Sequence, residues 1–211
     1  MADYKKPDYW QQKARKEGFP ARSVYKLKEI DEKFCLFNAN HSPINTLDLG
    51  AAPGSWSLYI LRKIVSAGKT FAEKSYLTAA DLLPLSREFD RGLFDSVNFH
   101  FIQGDITAAQ VREAILARGP YSTIISDTAP NTTGNHTVDA ARSLELAETV
   151  ITYAESALAS GGNLVFKIFQ GSSSGILLKQ MKAMFDTAKS FKPQACRGES
   201  VETYYMGLGK Q

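Results

Sequence analysis

Cysteine and histidine are scarce in this sequence, and no long apolar run occurs. Its 211 residues include two cysteines, Cys35 and Cys196, in no CxxC spacing, so we expect neither a disulfide framework nor a structural zinc site. The three histidines, His41, His100 and His136, are scattered and predict no metal site. There is no run of about 18 apolar residues and no apolar signal segment, which predicts a soluble, cytoplasmic protein without a membrane anchor.

Repeats, low-complexity tracts and Pro/Gly/Ser-rich linkers are also missing. The 44% hydrophobic and 22% charged composition fits one domain over residues 1–211, a monomer in which residues 1–34 form a basic helical extension. The net charge is +3, and it is unevenly distributed. Residues 1–34 carry nine Lys/Arg and six Asp/Glu, and residues 179–211 carry six Lys/Arg and three Asp/Glu. The middle carries ten against thirteen. Basic ends around an acidic middle fit an outer polyanion and an inner cationic ligand, although ordinary surface scatter explains the counts equally well.

Apolar, β-rich runs alternate with helical patterns from residue 44 onward. This alternation predicts an α/β fold with a mostly parallel sheet and helices on both faces. The last apolar run, ETYYMGLG, follows FKPQAC too closely for a helical crossover, so we expect the last two strands to be antiparallel. The predicted strands are 44–49, 75–81, 97–105, 121–127 and 163–169; the predicted helices are 55–66, a short one after residue 81, 107–118, 137–159 and 174–187.

The stretch ahead of this series, YWQQKARKEGFPARSVYKLKEIDEKF, is helical and basic. Gly18 and Pro20 divide it into two helices. The second helix carries one apolar face at helical spacing, while Arg22 and Lys26 fall elsewhere. A charged helix face is usually solvated, but a helix that leads into an α/β core can also lie across its ligand crevice.

The strongest local signal is LDLGAAPGSWS, residues 47–57, where a β-run ends in a glycine-rich turn. Gly50 and Gly54 let the backbone turn sharply and approach a ligand closely, and we expect Ser55 to be the N-cap of the following helix. The turn does not read GxGxxG, and Pro53 lacks an N–H, so it is a poor pyrophosphate cradle. It is better suited to a ligand with an amino-acid head.

Three later strands end on acidic residues, Asp81, Asp105 and Asp127. Ligands of open α/β sheets bind beyond the carboxyl ends of the strands, so these side chains are expected to converge on one ligand. The alternative is that each serves as a turn or N-cap residue. A carboxylate after the second strand suits a ribose diol, and one after the third suits an adenine amino group. A cluster of carboxylates favours a cation, which S-adenosylmethionine is and NAD is not.

A lysine interrupts the apolar run GGNLVFKIFQG. A buried ammonium group is costly unless it is paired, so Lys167 is either an edge residue that reaches solvent or a working group.

Five motifs together resemble the FtsJ family of RNA ribose 2′-O-methyltransferases, most closely its bacterial large-subunit (23S) ribosomal RNA branch. They are ARSVYKLKEI, LDLGAAPGSWS, SDTAPNTTG, FKIFQG and SVETYYMGLG, in the family's order. The resemblance implies a Rossmann-like class I methyltransferase with a seven-stranded sheet, mostly parallel with an antiparallel last strand. The implied substrate is a uridine in the A loop of 23S ribosomal RNA, within the assembled large subunit.

The resemblance also assigns functional residues. It implies a catalytic tetrad of Lys26, Asp127, Lys167 and Glu202. S-adenosylmethionine contacts are expected at Gly50, Pro53, Gly54, Trp56, Asp81, Asp105 and Asp127, and RNA contacts at Arg22 and Lys26. In this hypothesis Lys167 accepts the 2′-hydroxyl proton as a neutral amine or orients the hydroxyl. Asp127 orients Lys167, and Lys26 with Glu202 positions the ribose and phosphate.

Several alternatives compete with this interpretation. The glycine turn argues against a nicotinamide oxidoreductase. The sequence DTAPN does not match the motif of amino-group base methyltransferases, and neither cysteine lies in a loop suited to a C5-cytosine nucleophile. A non-enzymatic RNA-binding factor would not need the whole tetrad. A tRNA anticodon-loop methyltransferase shares the tetrad and stays open as the alternative.

Overall fold

The computed structural model describes residues 9–37, 43–171, 174–197 and 200–211. Within these ranges the chain forms one seven-stranded sheet in the order β3-β2-β1-β4-β5-β7-β6. Strands β1 to β5 run parallel, and β7 is antiparallel to both β5 and β6. The predicted mostly parallel sheet with an antiparallel last strand is confirmed. The strands are β1 Asn45–Leu49, β2 Tyr76–Asp81, β3 Phe99–Gln103, β4 Tyr121–Ser126, β5 Leu158–Phe169, β6 Phe185–Phe191 and β7 Glu202–Lys210.

Helices fill most of the connections between these strands. The two predicted N-terminal helices are present, separated at Gly18 and Pro20, and the predicted helix 55–66 has the predicted bounds. The short helix expected after β2 is only a 3-10 turn, Leu93–Asp95. The helices are α1 Tyr9–Lys16, α2 Val24–Phe34, α3 Ser55–Ser66, α4 Lys69–Ala72, α5 Ala109–Leu116, α6 His136–Ala157 and α7 Ser174–Met184.

Two predicted boundaries are wrong by more than two residues. Strand β5 begins at Leu158, directly after α6, and not at Asn163. The intervening residues 159–162 read ASGG, which carries no apolar alternation and hides the strand from a pattern search. Helix α7 ends at Met184 because Phe185, 1% exposed, is already the first residue of β6.

Both faces of the sheet are covered, as predicted. Along β5 the side chains alternate between them, so Val165 belongs to one apolar cluster and Phe166 to the other. The Val165 cluster contains the apolar faces of α2 and α3, through Leu27 and Leu58 among others. Lys167, two residues after Val165, therefore faces α2 and α3.

No helix in the described ranges has the length and apolarity that a membrane span requires. The predicted single domain over 1–211 stays a prediction, and His41 lies outside the described residues.

Candidate active site

Sheet register brings Lys167 beside Asp127. Ser126 at the end of β4 pairs with Phe166, so the next residues along the two parallel strands, Asp127 and Lys167, are neighbours. The Lys167 ammonium lies 2.9 Å from Asp127 Oδ1 and also donates to the Asp127 main-chain carbonyl. Strand β5 has β4 on one side and β7 on the other, so Lys167 is not on an edge strand. The sequence left open whether Lys167 is an edge residue that reaches solvent or a working group. In the structure it is an interior lysine with a carboxylate partner.

The second ion pair joins the second helix to the last strand. Lys26 of α2 contacts Glu202 of β7, with 2.7 Å between Nζ and Oε1. Tyr204, two residues along β7, donates to Asp127 Oδ1 over 2.6 Å and lies under Lys26, whose Nζ is 5.9 Å from the ring centroid. The four residues of the predicted tetrad thus meet in one network around Tyr204.

Burial and charge act in opposite directions on this network. The four tetrad side chains are between 8% and 18% exposed. Burial raises the pKa of Asp127, but the ammonium groups of Lys167 and Lys26 outweigh it, and the pKa lies below its usual range. Burial also raises the pKa of Glu202, and Lys26 reverses the effect. The pKa of Lys26 is lowered by burial and raised more by Asp127 and Glu202, so it lies above its usual value. Asp127, Glu202 and Lys26 are therefore all charged at neutral pH.

Sequence reasoning missed two members of this network, Tyr204 and Cys196. Tyr204 is fully buried, and its pKa lies well above its usual value because of burial and the neighbouring Asp127 and Glu202. Its position two residues after Glu202 on one strand was the available signal, since such residues share a face. Burial raises the pKa of the Cys196 thiol to about 12, and the neighbouring Glu202 adds to the effect. No local pattern indicated it.

The glycine turn after β1 needs glycine at both of its ends. Gly50 has φ +74°, and a Cβ there would lie 2.1 Å from Thr128 Cγ2. Gly54 has φ +102°, and a Cβ there would lie 2.8 Å from the Phe94 ring. Left-handed backbone and close approach both favour glycine. The turn therefore brings main chain, without side chains, to the carboxyl edge of the sheet.

Ser55 is not the N-cap that the sequence suggested. Helix α3 begins at Ser55, Gly54 occupies the cap position, and no side chain caps the helix. The Ser55 hydroxyl instead accepts from the Ala21 N–H over 2.8 Å and donates to the Ala21 carbonyl over 3.2 Å. A tertiary partner thus replaces the local cap and fixes α3 to the segment before α2.

The side chain of Trp56 is not available as a cofactor contact. It is 2% exposed, and its indole N–H donates to the Ser23 carbonyl over 2.8 Å. Its ring packs against Tyr204, with centroids 5.9 Å apart. The ligand contact at Trp56 stays a prediction, and the group that can make it is the main-chain N–H, which belongs to the first helical turn and has no intrahelical partner.

The loop after β2 supports the glycine turn. Asp81 accepts from the Ala52 N–H and the Leu83 N–H, each over 2.8 Å. The carbonyl of Pro53, whose peptide bond with Ala52 is cis, accepts from the Ser86 N–H over 3.0 Å. Asp81 and Pro53 thus both lie at the predicted ligand edge and hold the turn in shape.

Asp105 acts as a turn residue in this structure. It is exposed, and its Oδ1 accepts from the Thr107 N–H and from the Thr107 hydroxyl, each over 2.8 Å. These two bonds lower the pKa of Asp105. The local role that the sequence left open is therefore present, and a ligand contact at Asp105 stays a prediction.

A further carboxyl group, Asp48 in β1, lies beneath the turn and was missed. It is 1% exposed, and the Ser57 hydroxyl donates to its Oδ2 over 2.6 Å. Its other oxygen has no partner among the described residues. Burial, with Asp127 and Asp81 adding and Ser57 opposing, raises the pKa of Asp48 to about 7. The signal was the same anomaly as at Lys167, a charged residue inside the apolar run NTLDL.

A basic pocket of about 240 Å³ opens beside the second ion pair. Arg22 lies there with Lys26, the two residues predicted to contact RNA, and its guanidinium donates to the Ala195 carbonyl. The pocket is lined by Arg22, Lys26, Arg197, Ser200 and Glu202.

Comparison with known proteins agrees with this arrangement. The model of the FtsJ-like methyltransferase family matches residues 19–210, which include the glycine turn and all four tetrad positions. The chain belongs to the FtsJ-like methyltransferase family. The family resemblance seen in the motifs is thereby confirmed.

This FtsJ-like methyltransferase is also similar to individual proteins over almost its whole length. A Treponema denticola protein named ribosomal RNA large subunit methyltransferase E is 46% identical over 205 residues, 97% of this chain and 96% of its own. A protein of the same name from Oleidesulfovibrio alaskensis is 41% identical, over 96% of this chain and 91% of its own. A Plasmodium falciparum crystal structure described as a ribosomal RNA methyltransferase has a TM-score of 0.71 at 25% identity, over 90% of this chain and 97% of that chain.

The residues at the sheet edge fit S-adenosylmethionine, the methyl donor expected for an FtsJ-like methyltransferase. The turn presents main chain where any Cβ at Gly50 would collide with Thr128. The carboxyl groups of Asp48, Asp81 and Asp127 lie close enough that the last two raise the pKa of the first. Such a cluster favours a cationic ligand over an anionic one.

Proposed function

We propose that this protein transfers a methyl group from S-adenosylmethionine to a ribose 2′-hydroxyl of large-subunit ribosomal RNA. The observation that carries the proposal is the single network formed by Lys26, Asp127, Lys167 and Glu202 at the carboxyl edge of the sheet. The names of the full-length relatives support ribosomal RNA over tRNA as the substrate. No observation favours the tRNA alternative.

The residues that would hold the cofactor lie around the glycine turn. S-adenosylmethionine supplies a methyl group on a sulfonium centre. The turn from Gly50 to Gly54 and the first N–H groups of α3 suit its amino-acid end, since amides at a helix N-terminus bind carboxylates. Asp81 suits its ribose diol, and the Asp127 carboxylate favours its positive charge. Asp105 is the proposed contact for the adenine amino group.

Lys167 is the proposed proton acceptor. An ammonium group has three N–H donors, and Asp127 accepts two of them through Oδ1 and its main-chain carbonyl. No third acceptor for Lys167 lies among the described residues, so the third direction can meet the ribose 2′-oxygen. When Lys167 enters as a neutral amine, its Nζ takes the 2′-hydroxyl proton, and the Asp127 carboxylate stabilises the ammonium that forms.

Lys26 and Glu202 are the proposed positioning pair for the RNA. Glu202 is ionised and Lys26 is charged, because each shifts the pKa of the other toward its charged form. Together with Arg22 they line the basic pocket, which suits a phosphate next to the target ribose. Alignment of the two reactants accounts for much of the rate in such displacements, about 7–11 kcal/mol in model systems.

A matched pair of variants tests the assignment. Tritiated methyl transfer from S-adenosylmethionine is measured on large ribosomal subunits from a strain that lacks the gene. Lys167→Ala removes the proton acceptor, so transfer is expected to fall by about 10²- to 10⁴-fold while calorimetric cofactor affinity stays near normal. Asp81→Ala is expected to weaken cofactor binding instead. Wild-type turnover in Lys167→Ala would refute the role of Lys167.

The target is proposed to be a uridine of the A loop in the assembled subunit, methylated in the cytoplasm by a monomer. Mapping of the 2′-O-methyl marks lost on deletion tests the nucleotide, and a mark lost from a tRNA anticodon loop would overturn it. Equal transfer to naked ribosomal RNA and to the subunit would refute the preference for the assembled particle. Sedimentation equilibrium tests the monomer.

A further inference from the structure

Glu29 of α2 holds the connection between β6 and β7. Its Oε2 accepts the Gln194 N–H over 2.6 Å, and its Oε1 accepts the Ala195 N–H over 2.9 Å. Two consecutive backbone amides therefore converge on one carboxylate. Hydrogen bonds to an ionised acceptor are the stronger kind, and a two-point contact also defines orientation.

A residue just ahead of this helix holds the turn from a second side. Arg22 donates to the Ala195 carbonyl, so the acceptor of Ala195 is bound by Arg22 and its donor by Glu29 of α2. The next residue, Cys196, is buried beside Glu202, and the two groups shift each other's pKa. Glu202 in turn pairs with Lys26 of α2, one turn of the helix before Glu29. The turn at residues 194–196 therefore lies between α2 and the Lys26–Glu202 pair.

The start of α2 is fixed independently. Ser55 and Trp56 of α3 bond to the carbonyl groups of Ala21 and Ser23, directly ahead of α2. The helix that carries Lys26 is thus attached to the glycine turn at its beginning. These bonds do not determine the distance between α2 and the turn at residues 194–196. Glu29 determines that distance, because its carboxylate binds two amides of the turn.

We propose that Glu29 is a positioning residue for the Lys26–Glu202 pair: by binding the amides of Gln194 and Ala195 it holds Glu202 at contact distance from Lys26. Glu29 transfers no proton and touches no reacting atom. The inference rests on the proposed function, in which this pair orients the RNA.

The test compares Glu29→Ala, Glu29→Gln and a control, Glu32→Gln, an exposed acidic residue of the same helix. Methyl transfer to large subunits is measured with saturating S-adenosylmethionine. Glu29→Ala is expected to lower kcat by about 10- to 100-fold, the cost of a small misplacement, with an unchanged KM for the cofactor. Glu29→Gln keeps one carbonyl oxygen as an acceptor and is expected to lie between Glu29→Ala and the wild type. Glu32→Gln is expected to be unchanged.

Two readouts separate positioning from general loss of structure. Amide exchange at Gln194 and Ala195 is expected to accelerate in Glu29→Ala and not in Glu32→Gln. The pKa of Glu202, followed directly by carboxyl NMR, is expected to be higher in Glu29→Ala, because Lys26 lowers the pKa of Glu202 and a more distant Lys26 lowers it less. An unmoved pKa of Glu202 with a normal kcat would overturn the proposal.

A double variant separates this proposal from the proposed function. If Glu29 acts through Glu202, Glu29→Ala has little further effect in a Glu202→Ala background. The same fold loss in both backgrounds overturns the positioning role of Glu29. If Glu202→Ala alone leaves methyl transfer unchanged, it is the proposed role of the tetrad that fails.

Discussion

Tyr204 donates its phenolic hydrogen to Asp127 Oδ1 over 2.6 Å, from a fully buried position where water cannot replace it. Tyr204→Phe removes this bond and keeps the ring that packs against Trp56. A hydrogen bond to a charged group stabilises a protein by about 1.5–3 kcal/mol. We therefore expect the variant to lose about 2 kcal/mol of unfolding free energy at pH 7, which corresponds to about 4–8 °C in Tm for a chain of this size.

The loss should depend on pH in a direction that the structure determines. Burial raises the pKa of Asp127, Lys167 and Lys26 lower it more, and the Tyr204 bond contributes to the net lowering. A carboxyl group with a lowered folded-state pKa stabilises the protein above its unfolded pKa, near 3.9, and this contribution is lost as the pH falls through the folded value. The difference between wild type and Tyr204→Phe should thus be full at pH 7 and shrink below about pH 4.

Urea unfolding at several pH values measures both effects. Tyr121→Phe is the control, because Tyr121 is equally buried but donates to a neutral acceptor, the Ile115 carbonyl, over 2.9 Å. Its loss should be about 0.5–1.5 kcal/mol and should be the same at pH 7 as below pH 4, where the Tyr204→Phe loss shrinks. The charge-assisted bond would be refuted if Tyr204→Phe lost no more unfolding free energy than Tyr121→Phe, or if its loss did not depend on pH.

Two further substitutions test the turn after β1. Burial, with Asp127 and Asp81 adding, raises the pKa of Asp48 to about 7, so wild-type stability should fall as the pH rises from about 4 to 7. Asp48→Asn cannot ionise, so its free energy of unfolding in urea, relative to that of the wild type, should be higher at pH 8 than at pH 5. The same difference in unfolding free energy at both pH values would contradict the buried carboxyl group. Gly50→Ala should lower Tm, because a left-handed non-glycine residue costs about 1–2 kcal/mol and its Cβ would meet Thr128 Cγ2. Thr128→Ser removes that methyl and should recover part of the loss, and no recovery would argue against the contact.

The fold was largely predictable because its signals are local. Helix α3 begins and ends where the pattern placed it, since the glycine turn ahead of it and the apolar periodicity within it are both readable in one segment. The antiparallel arrangement of β7 followed from the length of one connection. The start of β5 was missed because residues 159–162 form an irregularity in the pairing with β4 and carry no apolar alternation.

The candidate site was predictable only in part. Motif resemblance selected Lys26, Asp127, Lys167 and Glu202, but Asp127 and Lys167 are 40 positions apart, and nothing local stated that they form an ion pair. The preference of Ser55 for an N-cap position is also local, and a tertiary bond to Ala21 displaced it.

The sequence by itself determined the element order, the glycine positions and the fact that two charged residues, Asp48 and Lys167, interrupt buried strands. Only the tertiary structure decided what those charges do, because the cost of burying a charge depends on the partner supplied by another strand or helix. Lys167 receives a carboxylate from the end of β4, whereas among the described residues Asp48 receives only the Ser57 hydroxyl and two neighbouring carboxylates. Two similar anomalies in the sequence thus become, in the fold, a lysine with a carboxylate partner and a carboxyl group with no cationic partner in the described ranges.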